Sequence, residues 1–292
     1  MAYSSAGRKF FLVLNTALCV IIAAACLAPI LHILAISFSG KDPIISGQVG
    51  FLPIEFTWDN YSYVAKENAF YTAFWVSVIR TALAWVTQIA LTILAAYPIS
   101  LGRHRFHARS FYTWYFLIAV LFSGGLIPTY LVVLRTGLIN TIWALILPGA
   151  VPLFNVILMQ NFMKALPDEI KESAAIDGAG QWRTLIQIVL PLFQVSIVTI
   201  SLFIVVGNWN AWYDGMLYIN DNHRFPLQTY LRTVIVQPDL SQVTDVNDLA
   251  RMVASGGADA AKIFLSMLPI MVVYPFAQKH FVKGIVLGSV KG

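Results

Sequence analysis

The amino-acid sequence predicts an all-α, polytopic membrane protein, a single transmembrane domain over residues 1–292 that crosses the bilayer on six helices. Three observations carry this reading. Of the 292 residues, 58% are hydrophobic and only 11% are charged; a soluble domain carries about 25% charge, so lipid solvates most of this chain. The apolar residues fall into six runs, each near the roughly 20 residues a helix needs to cross. The basic residues are also placed asymmetrically. Lys and Arg at 8, 9, 103, 105, 109, 164, 171, 183, 279, 283 and 291, eleven of nineteen, lie on the side that holds both chain ends. An excess of Lys and Arg in short loops marks the cytoplasmic face, so both termini are expected there. This clustering beside apolar spans accounts for the net charge of +5 without a nucleic-acid partner.

The first run, 11–38, follows Arg8 and Lys9. It is too long for a cleaved signal peptide and has no convincing small-residue cleavage site, so it reads as an uncleaved span. Cys19 and Cys26 are seven apart on one face, with neither disulfide-framework nor metal spacing, and read as small packing residues. His32 stands alone in this run and reads as packed or interfacial. Residues 40–69 are polar and rich in turn formers. The second span, 73–101, is longer than a perpendicular crossing requires and is expected to tilt. It contains Arg80, which must snorkel, pair or line water. A basic loop with Arg103, Arg105 and Arg109 leads to the third span, 111–134, interrupted by Ser123-Gly124-Gly125 and Pro128. A tight turn at Arg135–Asn140 precedes the fourth span, 141–163. Then come a loop at 164–191, the fifth span at 192–213, a polar stretch at 214–259, the sixth span at 260–277 and a tail at 278–292. Pro98, Pro148, Pro152 and Pro269 are expected to bend helices, because proline removes a backbone bond and crowds the preceding turn.

The 164–191 loop is the most informative stretch. Pro167 suits a first helical position, and Asp168, Glu169 and Glu172 favour the positive end of a helix. Ser173, Ala174 and Ala175 give a smooth face that can seat closely in a groove. Asp177-Gly178-Ala179-Gly180 reads as a turn, since glycine reaches positive φ cheaply. A second short helix is expected from Gln181 to Val189, ending before Pro191. This pattern resembles the "EAA" coupling loop of ABC importer permeases: Glu-Ala-Ala, three residues, Gly, nine residues, then Ile-x-Leu-Pro. Glu172, Ala174, Gly178, Ile188, Leu190 and Pro191 fall in register, Ser173 replaces the first alanine, and Leu185 stands where phenylalanine is common.

Further stretches resemble one branch of the carbohydrate permeases. They are Pro29-Ile30-Leu31 with Ser37-Phe38-Ser39, Leu52-Pro53 with Asn60-Tyr61, the run from Phe122 to Tyr130, and Leu138-Ile139-Asn140-Thr141. The ending from Val282 to Gly292 resembles that of the second permease of maltose-type importers. The resemblance covers nearly the whole chain. It implies a permease subunit of an ATP-driven importer for complex oligosaccharides, in a branch that includes importers of pectin- and alginate-derived ones. It also implies the bacterial cytoplasmic (inner) membrane and a cytoplasmic helix–turn–helix in which Glu172, Ser173, Ala174, Asp177 and Gly178 meet an ATPase subunit. The implied partners are a second homologous permease, two ATPase subunits that bind ATP and Mg, and an extracytoplasmic solute-binding protein. Lys283 and Lys291 of the tail would face the ATPase interface. The subunit itself would bind no cofactor and catalyse nothing. Consistent with that, the sequence has no Gly-x(4)-Gly-Lys-Ser/Thr phosphate loop; Gly40-Lys41-Asp42 lacks both the upstream glycine and the hydroxyl.

Candidate substrate-path residues are Arg80, Asn208, Trp209, Asn210 and Trp212. Aromatic faces stack on sugar rings and amides bond hydroxyls. At helical spacing Trp209, Trp212 and Tyr213 share a face; an aromatic belt at the membrane interface is the competing reading. Two other function classes fit the sequence less well. A secondary transporter would need ion-coupling groups within the spans, yet the acids lie in or beside polar segments. A membrane-embedded enzyme would need a catalytic motif, and no Gly-x-Ser-Gly, His-Glu-x-x-His or paired intramembrane aspartates occur.

Overall fold

Apolar segments in lipid must satisfy their backbone N–H and C=O groups internally, which a helix does residue by residue. In the computed structural model, which describes residues 6–102, 104–236 and 256–288, every regular element among the described residues is helical. The elements are α1 (Ala6–Ser37), α2 (Lys41–Ile45), α3 (Asp59–Val64), α4 (Asn68–Ser100), α5 (Arg109–Leu121), α6 (Leu126–Arg135) and α7 (Leu153–Lys164). They continue with α8 (Asp168–Ile176), α9 (Gln181–Leu192), α10 (Gln194–Asn210), α11 (Tyr213–Tyr218), α12 (Leu227–Leu231) and α13 (Gly256–Gly288). Two 3₁₀ turns, Ile142–Leu145 and Leu147–Gly149, precede α7.

Among the described residues three helices, α1, α4 and α13, are long and apolar enough to cross a membrane, and the count reaches six if each of three bent pairs is one span. The α5–α6 pair bends by 112°, the Ile142–Gly149 segment and α7 by 47°, and α9–α10 by 82°. The first bend falls at Ser123-Gly124-Gly125, where Gly125 has φ +88° and only glycine enters without strain. The second holds Pro148 and Pro152, as the sequence suggested. α4 and α13 run unbroken past Pro98 and Pro269.

The chain groups into two compact units, residues 1–70 with 231–268, and residues 71–230 with 269–292. In the first, the motifs Ser37-Phe38-Ser39 and Asn60-Tyr61 close on each other. The Asn60 amide donates to the carbonyls of Ser37 and Ser39, each at 3.0 Å, and Tyr61 Oη lies 2.8 Å from Ser37 Oγ. Phe38 stacks on Phe56 at 5.3 Å and meets Trp58 edge-on at 5.0 Å. His32 Nδ1 donates to the Gly50 carbonyl at 2.8 Å. Lys262, with only 5% of its side chain exposed, pairs with Glu67 at 3.0 Å and Asp259 at 3.5 Å. An ammonium this deeply placed inside an apolar helix is tolerable only when paired. Cys19 and Cys26 are exposed on α1, so they do not pack inside the chain as expected; the apolar surface around them faces outward.

In the second unit, one core joins Ala96, Tyr97, Ile99 and Leu101 at the end of α4 to Met159 and Met163 of α7, Leu185 and Val189 of α9, and Ile200 and Ile204 of α10. Buried Gln160 fixes the seam by donating to the Ile99 carbonyl at 3.0 Å. A second cluster gathers Val133, Ala144, Leu145, Tyr218 and Ile219. It is clamped by Asn140, whose φ of +61° turns the chain sharply. The Asn140 N–H donates to the Tyr218 carbonyl at 2.8 Å, and its side-chain oxygen accepts from the N–H groups of Asn220 and Asp221. The stretch after the fifth span, polar in sequence, is helical from Tyr213 to Tyr218 and again from Leu227.

α13 continues through Gly288, past Ala277, into the stretch read from the sequence as a separate tail. A glycine costs a helix about 1 kcal/mol relative to alanine, which Gly284 alone does not turn into a break.

Candidate functional site

After α7 the chain forms α8, turns at 177–180 and enters α9. Pro167 is the N-cap of α8 rather than its first residue: its ψ of 139° is extended and the helix opens at Asp168. The early acids meet the helix's positive end as anticipated. Asp168 also accepts a bond from Lys171 at 3.2 Å, which, with that ammonium's charge, holds its carboxyl below the usual aspartate range; burial opposes this weakly, and the Arg105 and His104 charges add to it.

α8 ends in a Schellman turn. The Ala179 N–H donates to the Ala174 carbonyl at 2.9 Å and the Gly178 N–H to the Ala175 carbonyl at 3.1 Å. This geometry requires the left-handed conformation at Gly178, whose φ is +76°. α9 then starts at Gln181. It does not stop before Pro191 as expected but runs through it to Leu192. Proline cannot donate to the carbonyl four residues back, and the turn immediately ahead, Leu185–Val189, is widened to π-helical geometry, one of the ways a helix accommodates such a defect. The chain bends only afterwards, at Phe193.

Burial divides this element into two faces. Ala174, Thr184, Leu185 and Val189 are buried, and Tyr97 Oη donates to Gln181 Oε1 at 3.0 Å, tying α9 to the end of α4. Glu172, Ser173, Asp177 and Gly178 are exposed. Large apolar side chains of the same two helices are exposed as well: Ile176 is 86% exposed and Trp182 65%, and Ile186 is exposed too. Ala174, expected on the contact surface, instead seats α8 on its own chain. Trp182 and Ile186 were missed by the motif comparison, although two bulky apolar residues in a polar loop were visible in the sequence.

The other candidate residues gather around the end of α10. Arg80 does not snorkel. It is 2% exposed and forms a two-pronged ion pair with Asp214, its Nη1 reaching Asp214 Oδ1 at 3.2 Å and the Ala211 carbonyl at 3.2 Å. Asp214 was assigned to a polar loop, and nothing local in the sequence signals the pairing across 134 residues. Trp209, Trp212 and Tyr213 do not share a helix face, because α10 ends at Asn210 and Ala211 is extended with ψ 126°. At the break Arg80 takes the Ala211 carbonyl, while the Trp212 carbonyl accepts both the Thr229 hydroxyl at 2.8 Å and the Met216 N–H at 3.2 Å and so opens α11. Trp209 is buried, 4% exposed, edge-on to Phe74 at 5.8 Å. Asn208 donates to the Ile204 carbonyl at 2.8 Å and to Gln88 at 3.2 Å. Asn210 is exposed and Trp212 half-buried. Of the tail candidates, Lys283 lies on the helical stretch of α13, while Lys291 falls outside the described residues.

The comparisons with known proteins decide the family. No family model matches the chain. Protein LplC of Bacillus subtilis is 39% identical over 292 residues, covering 100% of this chain and 98% of its own. The polygalacturonan/rhamnogalacturonan transport system permease protein YtcP of the same organism is 37% identical, covering 92% of this chain and 94% of its own. This chain belongs to the permeases of ABC sugar importers. Such a permease is membrane-embedded, works within a transporter complex and is not itself an enzyme. Its fold agrees: a solved bacterial ABC transporter involved in the import of the acidic polysaccharide alginate superposes with a TM-score of 0.86 at 26% identity, covering 96% of this chain and all of that one. These relatives do not favour a secondary transporter or an embedded enzyme.

Proposed function

We propose that this permease carries acidic oligosaccharides across the bacterial cytoplasmic (inner) membrane, and that α8, the Gly178 turn and α9 form the cytoplasmic element that couples it to ATP hydrolysis. The observation that carries the coupling role is the two-faced loop. Ile176 and Ile186 are exposed, as Glu172 is, on two helices joined by the Gly178 turn and held from behind by Leu185 and Val189. Exposed large apolar side chains on a rigid polar loop need a partner's pocket. In the family that partner is an ATPase subunit. Two such subunits bind ATP and Mg; their closure shifts the coupling element, and the spans move between inward- and outward-facing states. A second homologous permease completes the pathway and an extracytoplasmic binding protein delivers substrate. Both termini of this chain then lie in the cytoplasm. Glu172, Ser173, Asp177 and Gly178 make the ATPase contact, with Ala174 fixing their mount. Lys283 and Lys291 belong to a C-terminal segment that reaches the ATPase interface.

The acidic substrate class rests on two relatives, whose names specify polygalacturonan/rhamnogalacturonan and alginate. Within this chain Arg80 is already neutralised by Asp214, so it positions the end of α10 rather than meeting a sugar carboxylate. Asn210 and Trp212, the more accessible members of the cluster, with Asn208 behind them, are the residues offered to sugar hydroxyls and ring faces. Trp209 supports them from the core.

The test is ATPase stimulation of the reconstituted complex by binding protein loaded with a panel of oligosaccharides. Oligogalacturonides, rhamnogalacturonan fragments or alginate fragments should stimulate, and neutral maltodextrins should not. Stimulation by neutral oligosaccharides alone overturns the acidic class. A complex that copurifies with no ATPase subunit overturns the coupling role.

A further inference from the structure

A cleft of about 480 Å³ opens between the end of α4 and α9, lined by Leu94, Tyr97 and Leu101, by Arg105 of the basic loop, and by Trp182 and Leu185 of α9. Its volume is that of a small-molecule site, roughly 300–1,000 Å³, and its wall is chiefly apolar. It has one charged group. Arg105 is half-buried and forms no ion pair with any described residue. Asp168, which its charge reaches, is already bonded to Lys171. His104 acts on the same carboxylate, and Arg109 and Lys164 lie close enough for their charges to interact, so the surroundings are basic. The apolar wall includes the last stretch of α4, a helix long and apolar enough to cross a membrane, with Leu101 directly after it, and the charge lies just past its end. Hydrocarbon first and cation next is the order in which a phospholipid presents its acyl chain and its phosphate.

We propose that this cleft holds one anionic phospholipid, its phosphate on Arg105 and an acyl segment against Leu94, Leu101, Leu185 and Trp182. The bound lipid braces Trp182 and the Gln181–Tyr97 bond, and so sets how stiffly the coupling element is held to α4. Binding follows from the cleft alone; the effect on coupling rests on the role proposed above for α8 and α9.

The test uses the whole transporter, reconstituted in nanodiscs of phosphatidylcholine mixed with phosphatidylglycerol, with retained lipid counted by native mass spectrometry. The wild type should retain phosphatidylglycerol selectively. Arg105→Gln should lower that selectivity about fivefold, the equivalent of about 1 kcal/mol for one basic residue at an anionic surface. Arg105→Lys should keep most of it, and Leu94→Trp, which fills the cleft, should abolish it. Equal selectivity in the wild type and Arg105→Gln overturns the proposal. So does displacement of the lipid by soluble glycerol phosphate, which points to a free phosphate site. A photo-crosslinker at Leu94 that captures a protein subunit instead of lipid overturns it in favour of a protein contact. Gly178→Val separates the two readings: it should lose coupled transport yet retain the lipid, so either claim can fail while the other stands.

Discussion

Replacing Gly178 tests the proposed coupling role most directly, because the structure isolates one physical cause. The residue has φ +76°, and a Cβ built there meets no atom within 4 Å. Substitution therefore meets no steric barrier from neighbours, only the intrinsic penalty of the left-handed region. That penalty is about 1–2 kcal/mol for an ordinary L-residue, smaller for asparagine and largest for a β-branched one. If the backbone relaxes instead, the Ala179–Ala174 and Gly178–Ala175 bonds are lost, at about 0.5–1.5 kcal/mol each, and the angle between α8 and α9 changes. Oligosaccharide uptake by proteoliposomes, measured beside ATP hydrolysis at matched insertion, should rank Gly178 above Gly178→Asn, then Gly178→Ala, with Gly178→Val near background. The alanine variant should lose about fivefold or more, as 1–2 kcal/mol implies. Wild-type transport by Gly178→Val, or asparagine worse than alanine, would refute the reasoning.

Three further outcomes follow from the geometry. Asp214→Ala strands a buried guanidinium and should cost about 3–5 kcal/mol in thermal stability of the solubilised complex, whereas the double variant Arg80→Met with Asp214→Leu should recover much of it; equal losses would show that the pair is not the cause. Trp209→Ala should destabilise by about 3–5 kcal/mol, while Asn210→Ala and Trp212→Ala should weaken transport at saturating substrate with assembly intact; failed assembly in these two would favour a packing role. The Asp168 carboxyl should titrate below its ordinary value of 3.8. A depressed folded value means that its pairing with Lys171 is complete above that pH and is lost as pH falls through the lower one. Hydrogen-exchange protection across α8, corrected for the intrinsic pH dependence of exchange, should therefore be unchanged from neutral down to about pH 4 and fall only below it; lost protection already near pH 6 would contradict this.

The sequence by itself determined what depends on composition and on near neighbours. Six apolar runs, a helical loop and the glycine that turns it follow from hydropathy and from the φ that only glycine reaches cheaply, and both are local properties of the chain. The Ser37-Phe38-Ser39, Asn60-Tyr61 and Asn140 motifs were recognisable too, but their partners were not. Which residues face inward and where helices end were decided by tertiary contacts. Arg80 is neutralised by Asp214, and the same guanidinium takes the Ala211 carbonyl where α10 breaks off after Asn210, so Trp212 leaves the face it was expected to share with Trp209. Lys262, unremarked inside the sixth apolar run, is buried because Glu67 lies beside it. At Pro191 the helix continues through a widened turn, a rearrangement that depends on Leu185 and Val189 being anchored in the core. In each case the deciding energy is an ion pair, a captured carbonyl or a packed side chain supplied by a distant part of the chain, and no local pattern records it.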